Sequence, residues 1–286
     1  MSTSTLNESI LTDARRRRSE GQSLKAIAAD VGVTWQRLDK ALRHGLARNA
    51  EPEAQTTARL AVAGARAALL VEKYRPARLD QLFGQERVVS FLRCFLANPY
   101  PCAMLFEGET GTGKTSAALA LAAELGCAVD QQELGGVWTI ASGEQSADAV
   151  RDTCQQTWHT PMFGSGWKLV IVNEADRMST AAETIWLDRL ESLPRRTVVV
   201  FTTNHADRLS ERFRDRCIRV GFESDARRLH RSARALLSAM WKSETQTAPD
   251  ARFIDSIVRQ AVEDGHLSFR RAVQILQRHL MARSQP

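Results

Sequence analysis

Cysteine is scarce in this chain. Its five residues, Cys94, Cys102, Cys127, Cys154 and Cys217, are scattered through 286 positions and never form a Cys-x-x-Cys pair. That usage argues against a zinc module or a disulfide framework and suits a reducing compartment. Long apolar runs are missing too. The nearest approach, around Leu60 to Val71, is Ala-rich and broken by Arg66, too polar to cross a bilayer. The polar N-terminus has no apolar signal-peptide core. These absences predict a cytoplasmic protein with no membrane segment.

What is present reads as globular: 43% hydrophobic and 25% charged residues, over a length that suits two or three units. The net charge of +6 is unevenly spread. Residues 1–50 hold nine Lys/Arg against five Asp/Glu, residues 51–222 nineteen against twenty-one, and residues 223–286 eleven against seven. Positive charge therefore sits at both ends, as a polyanionic partner would require; ordinary solvated surface explains it equally well.

Residues 108 to 115 read Gly108-Glu109-Thr110-Gly111-Thr112-Gly113-Lys114-Thr115. The pattern G-x-x-x-x-G-K-[ST] is a phosphate-binding loop. Gly108, Gly111 and Gly113 permit backbone angles that a side chain forbids. Backbone N–H groups then turn toward phosphates, Lys114 supplies a charge for the β and γ oxygens, and the hydroxyl of Thr115, followed by Ser116, faces a Mg²⁺ ion. An apolar run over 103–107 predicts a strand before the loop, and 114–124 is rich in helix formers. Strand, loop and helix are the setting the motif needs.

Two further runs, 168–172 and 197–203, read as buried strands. The first ends at Asn173-Glu174-Ala175-Asp176, where a carboxylate can polarise an attacking water. The second ends at Asn204, where a neutral polar group can orient that water. Strands alternating with helical stretches predict an α/β fold with a parallel sheet and helices on both faces.

The N-terminal region carries a different pattern. Ser23 is a helix cap; Leu24, Ile27, Ala28 and Val31 recur at helical spacing; Gly32 ends the helix; and Thr34 caps a second one. This spacing, preceded by the run Arg15-Arg16-Arg17-Arg18, resembles the helix-turn-helix family of recombinases and small repressors, a small all-α domain over residues 1–48. The resemblance implies that Trp35, Gln36, Arg37 and Lys40 face a major groove of double-stranded DNA while the arginine run touches phosphates. A helical hairpin that binds protein remains the alternative. Residues 49–70 read mainly as a linker.

From Val71 to Gln277 the chain resembles the AAA+ ATPases, in particular the clamp-loader branch of replication factor C small subunits. Beyond the phosphate loop, the resemblance rests on Glu72-Lys73-Tyr74-Arg75-Pro76, Leu79-Asp80, Gly84-Gln85-Glu86, Ala141-Ser142-Gly143-Glu144, the helix over 182–193, Asp215-Arg216-Cys217 and Phe269-Arg270-Arg271-Ala272. It implies an AAA+ core over 71–222 and a helical lid over 223–286. Tyr74 and Arg75 would lie at the adenine, Lys114 and Thr115 at phosphates and Mg²⁺, and Glu174 at the attacking water. Asn204 would be sensor 1 and Arg270 sensor 2. Arg216 would be an arginine finger reaching a neighbouring subunit's ATP, so a homo- or hetero-oligomer is implied.

Two departures qualify the resemblance. Asn173 stands where the family usually has aspartate, keeping the shape but losing the charge of a Mg²⁺ ligand; slow hydrolysis is expected, with lost hydrolysis as the alternative. The residues after the lid are too few for the clamp loaders' collar, so a chain without one is expected. The combined expectation is a DNA-binding, clamp-loader-like ATPase that oligomerises with ATP on DNA and loads or remodels a replication or recombination protein, or serves mobile-element maintenance. An ATP-driven assembly switch and a nucleotide-sensing transcription regulator are the alternatives.

Overall fold

The computed structural model describes residues 69–283, the helix over 24–31, and residues 14, 17 and 22. The chain divides into two compact units, Met1–Ala68 and Leu69–Pro286.

In the first unit, helix α1 (Leu24–Val31) buries Ile27 and Ala28, two of the positions that set its helical periodicity. Ala14 is also buried. Arg17 binds Asp30 on α1 at 2.7 Å and donates to Gln22 Oε1 at 3.0 Å. Its guanidinium thus ties the preceding segment to α1. The expected reading face (Trp35, Gln36, Arg37, Lys40), the Ser23 cap, and Arg15, Arg16 and Arg18 lie outside the described residues.

The second unit opens with the short helix α2 (Leu70–Lys73) and a 3₁₀ turn at Leu79–Gln81, followed by α3 (Glu86–Ala97). Then come β1 (Cys102–Glu107), α4 (Lys114–Glu124), β2 (Val137–Ile140), α5 (Ala147–Gln156), β3 (Lys168–Val172), α6 (Thr180–Leu190) and β4 (Thr197–Thr203). The core closes with α7 (Glu211–Asp215) and β5 (Ile218–Gly221). The helix expected over 182–193 is α6, shifted toward the N-terminus because Ser179 caps it, accepting from Ala182 N at 3.2 Å. The sheet order is β2-β3-β4-β1-β5, with every pairing parallel.

The run Thr197–Thr203 is buried at all seven positions. A parallel strand covered on both faces needs no polar alternation, and β4 shows the period of two directly. Val198 and Val200 join a core layer with Leu92, Phe106 and Leu121. Val199 and Phe201 join the opposite layer with Trp186 and Phe213. The pairing brings β4 between β3 and β1, so the loops leaving all three strands emerge side by side.

Beyond the core, α8 (Ala226–Thr245), α9 (Ala251–Gln260), a two-stranded hairpin (β6, Val262–Glu263; β7, His266–Leu267) and α10 (Phe269–Arg283) form the lid. Asp225 caps α8 by accepting from Arg227 N at 2.8 Å and Arg228 N at 3.1 Å. Leu70 is buried in the lid core with Leu237, Met240, Trp241 and Leu276, so the strap before the sheet core belongs structurally to the lid. Among the described residues, no helix is long and apolar enough to cross a membrane.

Trp186 is 1% exposed and stacks edge-on against Phe201 at 5.1 Å. Trp186→Ala is expected to destabilise the second unit by about 3–5 kcal/mol in urea denaturation. Trp186→Phe will cost less, because the buried indole N–H has no acceptor to lose.

Candidate functional site

The loops after β1, β3 and β4 meet the lid around one cavity of about 690 Å³. Its lining includes Tyr74, Arg75, Gly111, Gly113, Lys114, Thr115, Ser116, Asn173, Glu174, Asn204 and Arg270. Gly108 contributes its backbone carbonyl just behind the wall. Residues drawn from a stretch of two hundred positions are gathered at one end of the sheet.

The phosphate loop turns on its glycines. Gly111 has φ +76° and Gly113 φ +103°. A Cβ on Gly111 would stand 2.0 Å from Ser268 Oγ, so glycine is also what lets the lid close down on the loop. Lys114, at the start of α4, is 8% exposed. Its Nζ donates to Gly108 O at 2.7 Å, Glu109 O at 2.9 Å and Asn204 Oδ1 at 2.8 Å. Burial lowers its pKa from the ordinary lysine value to about 8, against the pull of Glu109 and with Arg270 adding to the lowering.

Thr115 Oγ1 donates to Asn173 Oδ1 at 2.9 Å, and Thr202 Oγ1 reaches the same oxygen at 3.4 Å. Thr115 and Asn173 form an all-oxygen pair at the strand end, a donor type that suits a hard divalent cation; Asn173 brings no charge to it. Glu174 adopts a left-handed backbone, φ 52° and ψ 54°, a costly conformation for a side chain-bearing residue. Its N–H is held by Thr202 Oγ1 at 3.2 Å. Its carboxylate accepts from Ser142 Oγ and pairs with Arg177 at 3.0 Å. Gln145 grips the same turn, donating to the carbonyl oxygens of Asn173 and Glu174.

Away from the phosphate loop the cavity is apolar, with Leu82, Leu236, Met240 and Val273. Tyr74 donates its hydroxyl to Glu244 of α8 at 2.5 Å, and Lys73 binds the same oxygen at 2.7 Å. Burial, then the Glu244 bond, raises the Tyr74 pKa above the usual phenol value. Leu70 N donates to Gln277 Oε1 of α10 at 3.2 Å. Arg75 is engaged by Glu72 at 2.6 Å. Of the two adjacent lid arginines, Arg270 lines the cavity while Arg271 turns to Glu263 at 2.5 Å.

Arg216 stands apart. It follows α7, outside the cavity lining, and pairs with Glu191 at the end of α6. Gln145, Thr202 and Glu244 carry no local signature in the sequence; each contacts a site residue distant along the chain.

Residues 104–224 match the ATPase family associated with various cellular activities (AAA). The chain is 36% identical over 162 residues to the replication factor C small subunit of Thermofilum pendens, covering 54% of this chain and 47% of that one. It is 34% identical over 155 residues to replication factor C subunit 3 of Saccharomyces cerevisiae, covering 54% and 45%. Matches thus span about half the length of these relatives. The Thermotoga maritima RuvB Holliday junction branch migration motor shares the fold, with a TM-score of 0.57 at 18% identity, covering 72% of this chain and 64% of that one. The second unit therefore has the α/β AAA+ fold, and residues 104–224 carry the sequence pattern of the AAA family. Over about half their length, its sequence is similar to replication factor C subunits.

With a pKa near 8, Lys114 is mostly charged at pH 7 and mostly neutral at pH 9. A group whose folded pKa is depressed loses its proton early, so a polyphosphate that needs the ammonium should bind about tenfold more weakly at pH 9 than at pH 7. Titration of ATP binding across that range checks this, and an affinity unchanged between pH 7 and pH 9 would rule it out.

Proposed function

We propose that the chain is a DNA-addressed, clamp-loader-like AAA+ ATPase that assembles with ATP on duplex DNA. On this reading it loads or remodels a partner in replication, recombination or mobile-element maintenance. Residues 1–48 act as a helix-turn-helix DNA reader, 49–70 as linker, 71–222 as nucleotide core and 223–286 as lid. The observation that carries the reading is the division of the site's residues. Lys114, Thr115, Asn173, Glu174, Asn204 and Arg270 surround one cavity, while Arg216 lies outside it.

ATP occupies that cavity with its base against the apolar side near Tyr74 and Arg75. Lys114 leaves the carbonyls of Gly108 and Glu109 for phosphate oxygens, and the N–H groups around Gly111 and Gly113 line the phosphates. Thr115 and Asn173 would hold Mg²⁺, which supplies charge neutralisation at the phosphates. Glu174 accepts a hydrogen bond from the attacking water once Ser142 and Arg177 release its carboxylate, and Asn204 orients that water. Arg270 lies over the phosphates from the lid. Arg216 of one subunit exchanges Glu191 for the γ-phosphate of the next, so the complete site exists only between subunits. Arg15, Arg16, Arg17 and Arg18 contact the DNA phosphates, with Arg17 exchanging its Asp30 partner for one.

Asn173 favours a second reading in one respect: with a neutral ligand at the metal position, ATP binding alone could drive assembly. Asn173→Asp separates the two. It is expected to lower the Mg²⁺ concentration for half-maximal turnover and to raise kcat; unchanged, absent turnover in both forms would favour the switch.

Lys114→Ala should abolish ATP binding by calorimetry, and duplex DNA at low salt should raise the wild-type hydrolysis rate. Glu174→Gln and Arg216→Ala should each lose about a thousandfold in kcat. Mixed together they should recover activity, since an Arg216-bearing subunit can complete a site that retains Glu174. Arg216→Ala with full activity would rule out the finger.

A further inference from the structure

Gln85 is 2% exposed at the start of α3, and no step of the nucleotide chemistry uses it. Its side-chain amide makes two reciprocal bonds to the backbone of Glu223: Nε2 donates to Glu223 O at 2.9 Å, and Oε1 accepts from Glu223 N at 2.9 Å. Glu223 lies in the connection between β5 and α8, where the core passes into the lid. Its own carboxylate accepts from Ser224 N and Asp225 N, each at 3.0 Å, and binds Arg228 at 2.9 Å. Beside Gln85, Gly84 has φ +71°, and a Cβ there would meet Leu229 Cδ2 of α8 at 2.5 Å. The pair Gly84-Gln85 is thus the seat on which the lid's first helix rests.

The same amide also faces the phosphate loop, with Nε2 3.4 Å from Thr112 O. Thr112 is 2% exposed, and its hydroxyl donates to Glu109 O at 2.8 Å. Glu109 O is one of the three oxygens holding Lys114. A continuous chain of polar contacts therefore runs from the Lys114 ammonium through Glu109 O, Thr112 and Gln85 to the hinge at Glu223. All three ammonium donors are engaged, so Lys114 turns to a phosphate by giving up bonds among these oxygens, and release of Glu109 O frees Thr112 to shift against Gln85. Bistable elements of this kind transmit a local event as a rotation of packed bodies.

We propose that Gln85 is a positioning residue that couples occupancy of the phosphate loop to the angle between core and lid. The inference rests on the ATPase reading above. Cys94 is exposed while the other four cysteines are buried, so one dye can be placed there and a second on a cysteine introduced at the exposed Lys242. ATP is expected to change energy transfer between them in the otherwise wild-type chain. Gln85→Glu removes the donor and keeps the acceptor; Gln85→Met keeps the volume and removes both. In each, ATP affinity should stay within about threefold, the ATP-driven transfer change should fall by at least half, and kcat should drop about tenfold with KM little moved. A folded variant with the full transfer change and kcat within twofold of wild type overturns the coupling, as does a wild-type chain whose transfer ATP leaves unaltered. If neither variant folds by circular dichroism, Gln85 is a structural strut and the proposal falls. A wild-type chain that binds no ATP overturns the nucleotide reading itself; one that binds without turnover leaves transfer as the deciding readout.

Discussion

A buried ammonium with no carboxylate in direct contact is the constraint around which this site is built. Lys114 is almost wholly enclosed and satisfied by two loop carbonyls and the Asn204 side chain. Neutral oxygens meet its hydrogen-bonding needs without cancelling its charge, and burial disfavours that charge. The enclosure is held ready for an anion that would restore the balance. The loop's glycines, the strand ends and the descent of the lid onto Gly111 all act to keep that enclosure closed to water on several sides.

The same principle orders the residues around it. Thr115 bonds to Asn173, Glu174 to Ser142 and Arg177, and Arg216 to Glu191. These groups are engaged with protein partners, so ligand binding exchanges one set of polar contacts for another. Such exchanges are cheaper than desolvating free groups, because the hydrogen bonds lost are matched by hydrogen bonds gained. They also make the site's response cooperative: removing Lys114 from Asn204 frees the side chain proposed to orient water.

Much of this was legible before any coordinates. The runs 168–172 and 197–203 are too apolar for a half-exposed strand, and each ends abruptly at a polar residue, which places Asn173, Glu174 and Asn204 at one sheet edge. The glycine spacing of 108–113 fixes the loop between β1 and α4. Glu244 and Gln277 were not legible. They hold the Tyr74 strap across 170 and 207 residues, and nothing local to either position distinguishes them from other helix-surface residues. Gln85 could be quoted as part of a motif, but its partner Glu223 lies 138 residues away, so its connection to the hinge emerges only when α3, β5 and α8 converge. Sequence periodicity reports which face is buried; it does not report which buried amide meets which backbone.

The strap over 69–76 is held by the lid. Leu70 is packed among lid residues, its N–H is held by α10, and Lys73 and Tyr74 are held by α8. The segment that leaves the N-terminal unit is therefore fastened first to the lid and only afterwards enters the core. In the proposed rotation of the lid about Glu223, that fastening would move with the lid, which carries Glu244 and Gln277. The Tyr74–Glu244 and Lys73–Glu244 bonds share one carboxylate oxygen, so a single side chain governs both attachments.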